Sequence, residues 1–299
     1  MSTIEQASKR LEELRKAGVD MPWARDPEVA TLSPAQPAAL AGALQDVTPA
    51  PAPLAAPRHR VDIDFAALRD ACYLVPDAPR SRLLDEFRGV KRPLLANAQG
   101  SKTAEPVDRG NLIMITSSLP GEGKTYTSIN LAMSMAMEMN HSVLLVDADA
   151  TRMAAAQRLG ITGRRRGLID LLLDPALDLS EVELATNVDK LTFLPVGTQN
   201  ERATEIFSSQ AMAAFLNRLA AHQMDRIVIF DCPPLLPSAE ARALAPQMGQ
   251  IVLVVHAGKT HQGSVQQSLA ILEESPIVMT LLNQSRTPSA SSPYGYYAY

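Results

Sequence analysis

Residues 111–136 read NLIMITSSLPGEGKTYTSINLAMSMA. A short apolar run enters a Gly-rich turn and leaves it as a long apolar helix, and that order of elements is what a phosphate-binding loop requires. Gly121 and Gly123 let backbone N–H groups curl around phosphate oxygens, and the helix N-terminus adds a positive dipole. Lys124 can reach the outer phosphates, and the Thr125 hydroxyl suits a magnesium ion. The expected nucleotide contacts are Gly121, Glu122, Gly123, Lys124, Thr125 and Tyr126. The general pattern GxxxxGK[ST] begins with glycine, whereas Ser118 stands there, so the loop is a variant. A second GKT at Gly258, Lys259 and Thr260 has no upstream glycine and does not follow the first strand, so it reads as a coincidental loop.

The remainder of the chain repeats the same alternation. NLIMITS (111–117), SVLLVD (142–147), KLTFLPV (190–196), RIVIFD (226–231), QIVLVV (250–255) and PIVMTLLN (276–283) are apolar without polar alternation, as in strands buried on both faces. The intervening segments are long enough for crossover helices. The expectation is an α/β fold: a doubly wound, mostly parallel sheet flanked by helices, with its ligands at the carboxyl ends of the strands.

Two further strands end in acid. VLLVDAD places Asp147 and Asp149 at one strand tip, and RIVIFDCPP places Asp231 at another, where Pro233 and Pro234 turn the chain away. Carboxylates converging on a phosphate loop can hold magnesium or orient whatever attacks the γ-phosphate. A phenol of pKa about 10 benefits from such a base more than water does. The order of residues does not divide the roles of base and metal ligand between Asp147 and Asp149. Cys232, beside Asp231, reads as a small residue in a tight turn. Asn283 at the end of the last strand reads as a turn residue, and it also stands where related folds use an amide to read adenine. Arg164, Arg165 and Arg166 are either a solvated loop or a site for phosphotyrosines or an acidic tail of a neighbour.

Composition excludes several classes. The net charge of -4 supplies no basic field for nucleic acid or an anionic membrane. Cys72 and Cys232 are too few for a disulfide framework and lack zinc spacing, which fits a reducing cytoplasm. No run approaches the ~18 apolar residues of a spanning helix, and MSTIEQASKR is charged where a signal peptide is apolar.

The ends differ from the middle. Ile4, Ala7, Leu11 and Leu14 form a narrow stripe after a capping box of Ser2 and Glu5, so 1–20 is expected to hold an amphipathic helix, packed on its own domain or docked on a partner. Residues 21–60 are expected to be a linker rich in Pro and Ala, 61–284 the phosphate-loop domain with its core from about 81, and 285–299 a flexible tail. That tail holds Tyr294, Tyr296, Tyr297 and Tyr299, four of the six tyrosines. A stretch of ~30 Å or more separates them from the domain when extended, so they read as tethered phenols that reach a neighbour.

GEGKTYTSINLA, VLLVDAD, IFDCPP and the terminal tyrosines together resemble the bacterial tyrosine kinases of capsule and exopolysaccharide synthesis, and within them the autokinases associated with exosortase systems. The resemblance implies a cytoplasmic kinase with ATP and Mg2+ as cofactors. It would phosphorylate Tyr294, Tyr296, Tyr297 and Tyr299 in trans within a ring of protomers. It also implies recruitment to the inner face of the membrane by a chain-length regulator, control of polysaccharide polymerisation and export, and a cognate tyrosine phosphatase, with no nucleic-acid partner. Lys124 and Thr125 fall on Walker A positions, Asp147 and Asp149 on Walker A′, and Asp231 on Walker B, which makes Thr125, Asp149 and Asp231 the implied metal set and Lys124, Asp147, Asp149 and Asp231 the implied catalytic set. The family's A′ motif continues to an Arg and then a Pro, whereas DADATRM has Arg152 one place later and no Pro. A protomer-contact motif E-x-x-R-x-x-R is matched loosely by Asp85, Arg88 and Lys91. Leu119 stands where partitioning and septum-site ATPases of the same fold carry a signature lysine, which weighs against the rival reading of an ATP-gated positioning switch whose tail binds a partner.

Overall fold

The computed structural model describes residues 54–77, 79–100, 104–222 and 225–285. The expected N-terminal helix, most of the linker and the tyrosine tail lie outside them. In chain order the elements are β1 (His59–Arg60), α1 (Phe65–Asp70), α2 (Arg82–Gln99), β2 (Leu112–Ser117), α3 (Lys124–Ala136), β3 (Ser142–Asp147), α4 (Ala154–Arg158), α5 (Leu168–Leu173), α6 (Leu179–Val182), β4 (Leu184–Ala185), β5 (Leu191–Leu194), α7 (Ala203–Phe207), α8 (Gln210–Ala220), β6 (Arg226–Asp231), α9 (Ala239–Leu244), β7 (Gln250–His256), α10 (Gln262–Ile271) and β8 (Val278–Asn283).

The strands form one sheet in the order β1-β4-β5-β3-β6-β2-β7-β8. Every pairing is parallel except β4 with β5. All six apolar runs are strands. β1 begins inside the segment expected to be linker: the Arg58 and Val61 amides donate to Ser180 and Ala185, so the domain starts a few residues earlier than 61.

Side-chain alternation divides the core into two. Leu112 and Met114 of β2 pack on one face with Leu168, Phe207, Phe215 and Leu244, whereas Ile113 and Ile115 pack on the other with Phe87, Leu94, Ile129 and Met133. Helices on both faces explain why β2 and β6 have no exposed residue and no polar period. α2 starts at a Ser81 cap whose hydroxyl accepts from the Leu84 amide, and it runs through Pro93 to Gln99. It lies on α3 through the buried residues Phe87, Leu94 and Ala98. Lys91 is buried at the same contact: its ammonium donates to the Ser134 carbonyl at 2.8 Å and pairs with Glu138 at 2.5 Å.

At the amino end of β6, Arg226 forms a buried ion pair with Glu183 and donates to the Thr192 hydroxyl at 2.9 Å. The pair joins the central strand to the turn before β4. Removing one partner of such a pair leaves a buried charge and costs about 3–5 kcal/mol. Glu183→Ala is therefore expected to lower Tm more than the double variant Glu183→Leu/Arg226→Met does. Thermal melts that rank the two in the opposite order would contradict this account of the pair.

Candidate active site

The phosphate loop spans the gap between the end of β2 and the start of α3. Gly121 and Gly123 have φ of 86° and 98°, in the left-handed region that favours glycine. At Gly123 the close approach is as demanding as the dihedral, because a Cβ would lie 2.0 Å from the Asn283 amide nitrogen.

The loop is braced from beneath. The Glu122 carboxylate is buried, accepts the Leu119 amide at 2.6 Å and accepts the Thr260 hydroxyl. Thr260 in turn accepts the His256 amide at 3.1 Å. Ser118, which replaces the leading glycine, is buried and bonds Ser268 of α10 at 2.9 Å between hydroxyls. The second GKT is thus a structural neighbour of the first: Thr260 ties the end of β7 to the loop.

Two expectations for nucleotide contacts change in kind. The Glu122 side chain faces the protein, and the Tyr126 hydroxyl donates to the Cys72 carbonyl at 2.8 Å while its ring lies 5.0 Å from that of Tyr73. What these two residues offer a phosphate is backbone. The Asn283 amide is anchored on the loop: it donates to the Glu122 carbonyl at 2.9 Å and accepts the Gln284 amide at 2.9 Å. Gln284 adds a longer contact to the Gly121 carbonyl at 3.4 Å.

β3 and β6 are neighbours in register, with Asp147 opposite Asp231. Asp147, Asp149 and Asp231 are all inaccessible to solvent. Lys124 pairs with Asp149 at 3.2 Å, and the other Asp149 oxygen accepts the Thr151 hydroxyl at 2.6 Å and the Thr151 and Arg152 amides. Asp147 accepts the Asp149 amide at 3.2 Å and the Ala156 amide at 3.3 Å. One Asp231 oxygen accepts the Ser128 hydroxyl at 2.9 Å, and the other, Oδ2, is buried with no partner.

Electrostatics follows from this crowding. Burial, reinforced by the Asp231 charge, pushes the Asp147 carboxyl up to about 8. Burial also raises Asp231, to about 6, against the pull of the Lys124 ammonium and the Thr125 and Ser128 hydroxyls. The Cys232 thiol is raised by burial and by the same acids, which makes it the inert turn residue expected.

No group of three or more His, Cys, Asp or Glu side chains could hold a metal on its own among the described residues. The unpartnered Asp231 Oδ2 with the nearby Thr125 hydroxyl suits Mg2+, which binds through one or two protein oxygens and completes its shell with phosphate and water. Asp149, the third implied ligand, is engaged by Lys124 and Thr151.

A cleft of about 380 Å³ opens beside Asp147, between Met153 and Ile161 on one side and Pro195 and Val196 on the other, with Arg164 and Arg165 at its mouth. No phosphate-loop residue lines it. Of the residues expected to face another protomer, Asp85 and Arg88 are at the surface and pair with each other at 2.8 Å. Lys91 is turned inward, so the third position of that motif is spent within the chain.

Ser128, Thr151, Thr260, Ser268 and Gln284 were not legible as site residues. Each acts through a hydroxyl or amide supplied by tertiary contact, and such residues carry no local pattern. The one signal was Ser118, whose departure from glycine marked a loop held from outside.

Residues 110–274 match a family model described as an AAA domain. The chain is 33% identical over 188 residues to the tyrosine-protein kinase YwqD of Bacillus subtilis, an alignment covering 62% of this chain and 76% of that protein. It is 30% identical over 208 residues to the succinoglycan biosynthesis transport protein ExoP of Rhizobium meliloti, covering 69% of this chain and 25% of that protein. Among solved structures, the kinase domain of VpsO superposes with a TM-score of 0.52 at 26% identity, covering 67% of this chain and 98% of that one. With the loop, the paired strand-end acids and these relatives in agreement, the chain belongs to the bacterial tyrosine-kinase family.

Proposed function

We propose that this chain is an ATP-dependent protein-tyrosine autokinase that modifies Tyr294, Tyr296, Tyr297 and Tyr299 of a second copy, and so regulates exopolysaccharide polymerisation and export. The observation that carries the reading is a phosphate loop whose Lys124 pairs with Asp149, while Asp147, two residues earlier on the same strand tip, lines a separate cleft. One side of the site receives a phosphoryl donor and the other an acceptor.

In this reading the backbone of residues 121–125 cradles the phosphates and Lys124 leans from Asp149 toward the γ-phosphate. Thr125 and Asp231 would hold magnesium, which would supply charge neutralisation to the phosphates. Asp149 keeps Lys124 aligned when the loop is empty. Asp147 is the base: of the three acids it alone lines the acceptor cleft, and its raised pKa brings it nearer to that of a phenol. The phenolic oxygen bonds to the γ-phosphorus as the bond to the β,γ-bridging oxygen breaks. The phenolic proton passes to Asp147 and ADP leaves.

The trans geometry has support from the root of the tail. Gln284 sits against Gly121 of its own loop with φ of 58°, so the tail begins at the nucleotide side of the site and not at the cleft. A ring of copies, with Asp85 and Arg88 at the contacts, would present each tail to a neighbour's cleft. No helix among the described residues is long and apolar enough to cross a membrane. We assign activation at the inner membrane face to a separate chain-length regulator, docking to residues 1–20 through the 21–60 segment, and reversal to a tyrosine phosphatase.

The direct test is intact mass before and after Mg-ATP, with tail peptides mapped by fragmentation. Additions of one phosphate on the tail tyrosines, absent in Lys124→Ala, are expected. ATP turnover with no modified tyrosine, even with a regulator's cytoplasmic segment present, would instead indicate a nucleotide-driven switch. Asp147→Asn is expected to slow transfer by about 10²–10⁴-fold while retaining ATP binding, the pattern of a lost general base.

The raised carboxyls also predict a pH dependence. Asp147 binds its proton more tightly in the folded chain than at its ordinary value of 3.8, so its contribution is fully present below about 4 and is lost as pH rises toward about 8. Without nucleotide, Asp147→Asn should gain in Tm relative to the parent as pH is raised from 5 to 8. An unchanged difference across that range would refute the buried, proton-retaining carboxyl.

A further inference from the structure

We propose that Arg164 and Arg165 form a phosphotyrosine subsite at the mouth of the acceptor cleft, so that a tail tyrosine already phosphorylated on a second copy positions its neighbour for transfer. The inference deepens the kinase reading and rests on it for its substrate.

Four arginines surround this side of the site. Arg152 and Arg158 line one depression, and Arg164 and Arg165 line the cleft that reaches Asp147. None of the four forms an ion pair among the described residues, although the chain as a whole carries more acid than base. Arg166, the next residue, is neutralised by Asp174 at 2.8 Å, so pairing was available locally and two of the three guanidinium groups go without it.

The loop that carries them is fixed at both ends. Gly160 and Gly163 turn it with φ of 72° and 86°. Beyond Arg166 the chain is sewn to the cleft wall: the Leu168 and Ile169 amides donate to Pro195 and Val196, and Asp170 accepts the Gly167 and Thr198 amides at 2.8 and 3.0 Å. The arginines therefore leave a defined rim.

The chemistry of the occupant follows from the tail. Between Gln284 and Tyr299 there is no Asp or Glu, so the side chains there that can become anionic are phosphorylated hydroxyls. The tyrosines form two i, i+2 pairs, Tyr294 with Tyr296 and Tyr297 with Tyr299. In an extended chain such residues share a face about 7 Å apart. When one phenol of a pair enters the cleft toward Asp147, its partner lies at the rim. Guanidinium recognises a phosphate dianion bidentately, and an unmodified phenol far less well.

The test uses the full chain carrying Tyr294→Phe, Tyr296→Phe, Tyr297→Phe and Tyr299→Phe, so that added peptide is the only tail acceptor. Peptides of residues 284–299 are made with Tyr296 and Tyr294 as Phe and with Tyr299 either free or phosphorylated. Fluorescence anisotropy is expected to show the phosphopeptide binding about tenfold tighter or more, as for hydrogen bonds to a charged group. The ratio of kcat/KM at Tyr297 for the two peptides should exceed one by a similar factor. Both preferences should collapse in Arg164→Gln/Arg165→Gln and partly return in Arg164→Lys/Arg165→Lys. Equal binding of the two peptides by the parent, or a preference that survives the Gln double variant, overturns the subsite. Arginine-dependent phosphopeptide binding with no transfer to either peptide would sink the kinase reading and leave the subsite standing. Transfer without preference would do the reverse.

Discussion

Three carboxylates are buried around one ammonium group. Asp147, Asp149 and Asp231 reach no solvent, and Lys124 satisfies one of them directly. A buried charge without a partner is expensive, which is why burial raises the Asp147 and Asp231 carboxyls above their ordinary range. The packing that enforces this is the two-faced core: α3 is buried along nearly its whole length, and β3 and β6 are covered on both sides.

Holding such a site requires the loop to keep its shape when nothing is bound. The protein does this from the sheet edge opposite the acids. Thr260 after β7 grips Glu122, Asn283 at the end of β8 grips the Glu122 carbonyl, and Ser268 of α10 grips Ser118. Where the general pattern has glycine, Ser118 supplies a hydroxyl contact. The same strap is where the tyrosine tail begins, so the phosphate loop and the tail share a root.

Much of this was readable beforehand, for physical reasons that differ by element. Five of the six long strands announced themselves because burial on both faces removes polar residues. β8, equally apolar, is the edge strand and leaves Thr280 and Leu282 exposed, so for PIVMTLLN the expectation of two covered faces is corrected. β1 and β4, two residues each, are too short to show any period. The phosphate loop and the strand-end acids were legible because their chemistry demands particular residues at fixed spacing. Lys91, Glu122 and Asn283 misled. A lysine in a charged helix reads as surface, but its stem and ammonium here fill a slot between α2 and Glu138. Glu122 and Asn283 make side-chain contacts within the protein that their motif does not announce. Direction of a side chain is decided by neighbours far along the chain, and a local pattern does not encode it.

The strand order has a further meaning for how the molecule comes into being. β2, which carries the phosphate loop, pairs with β6 and β7, whose first residues are Arg226 and Gln250, and it touches no strand nearer in sequence. β3 likewise finds its central partner in β6. The loop's own strand must therefore wait for more than a hundred residues of chain to be made before it gains a hydrogen-bonded neighbour. Contacts so distant in sequence slow folding. During synthesis, the residues between 147 and 199 that line the cleft are therefore made before β2 can pair with any strand.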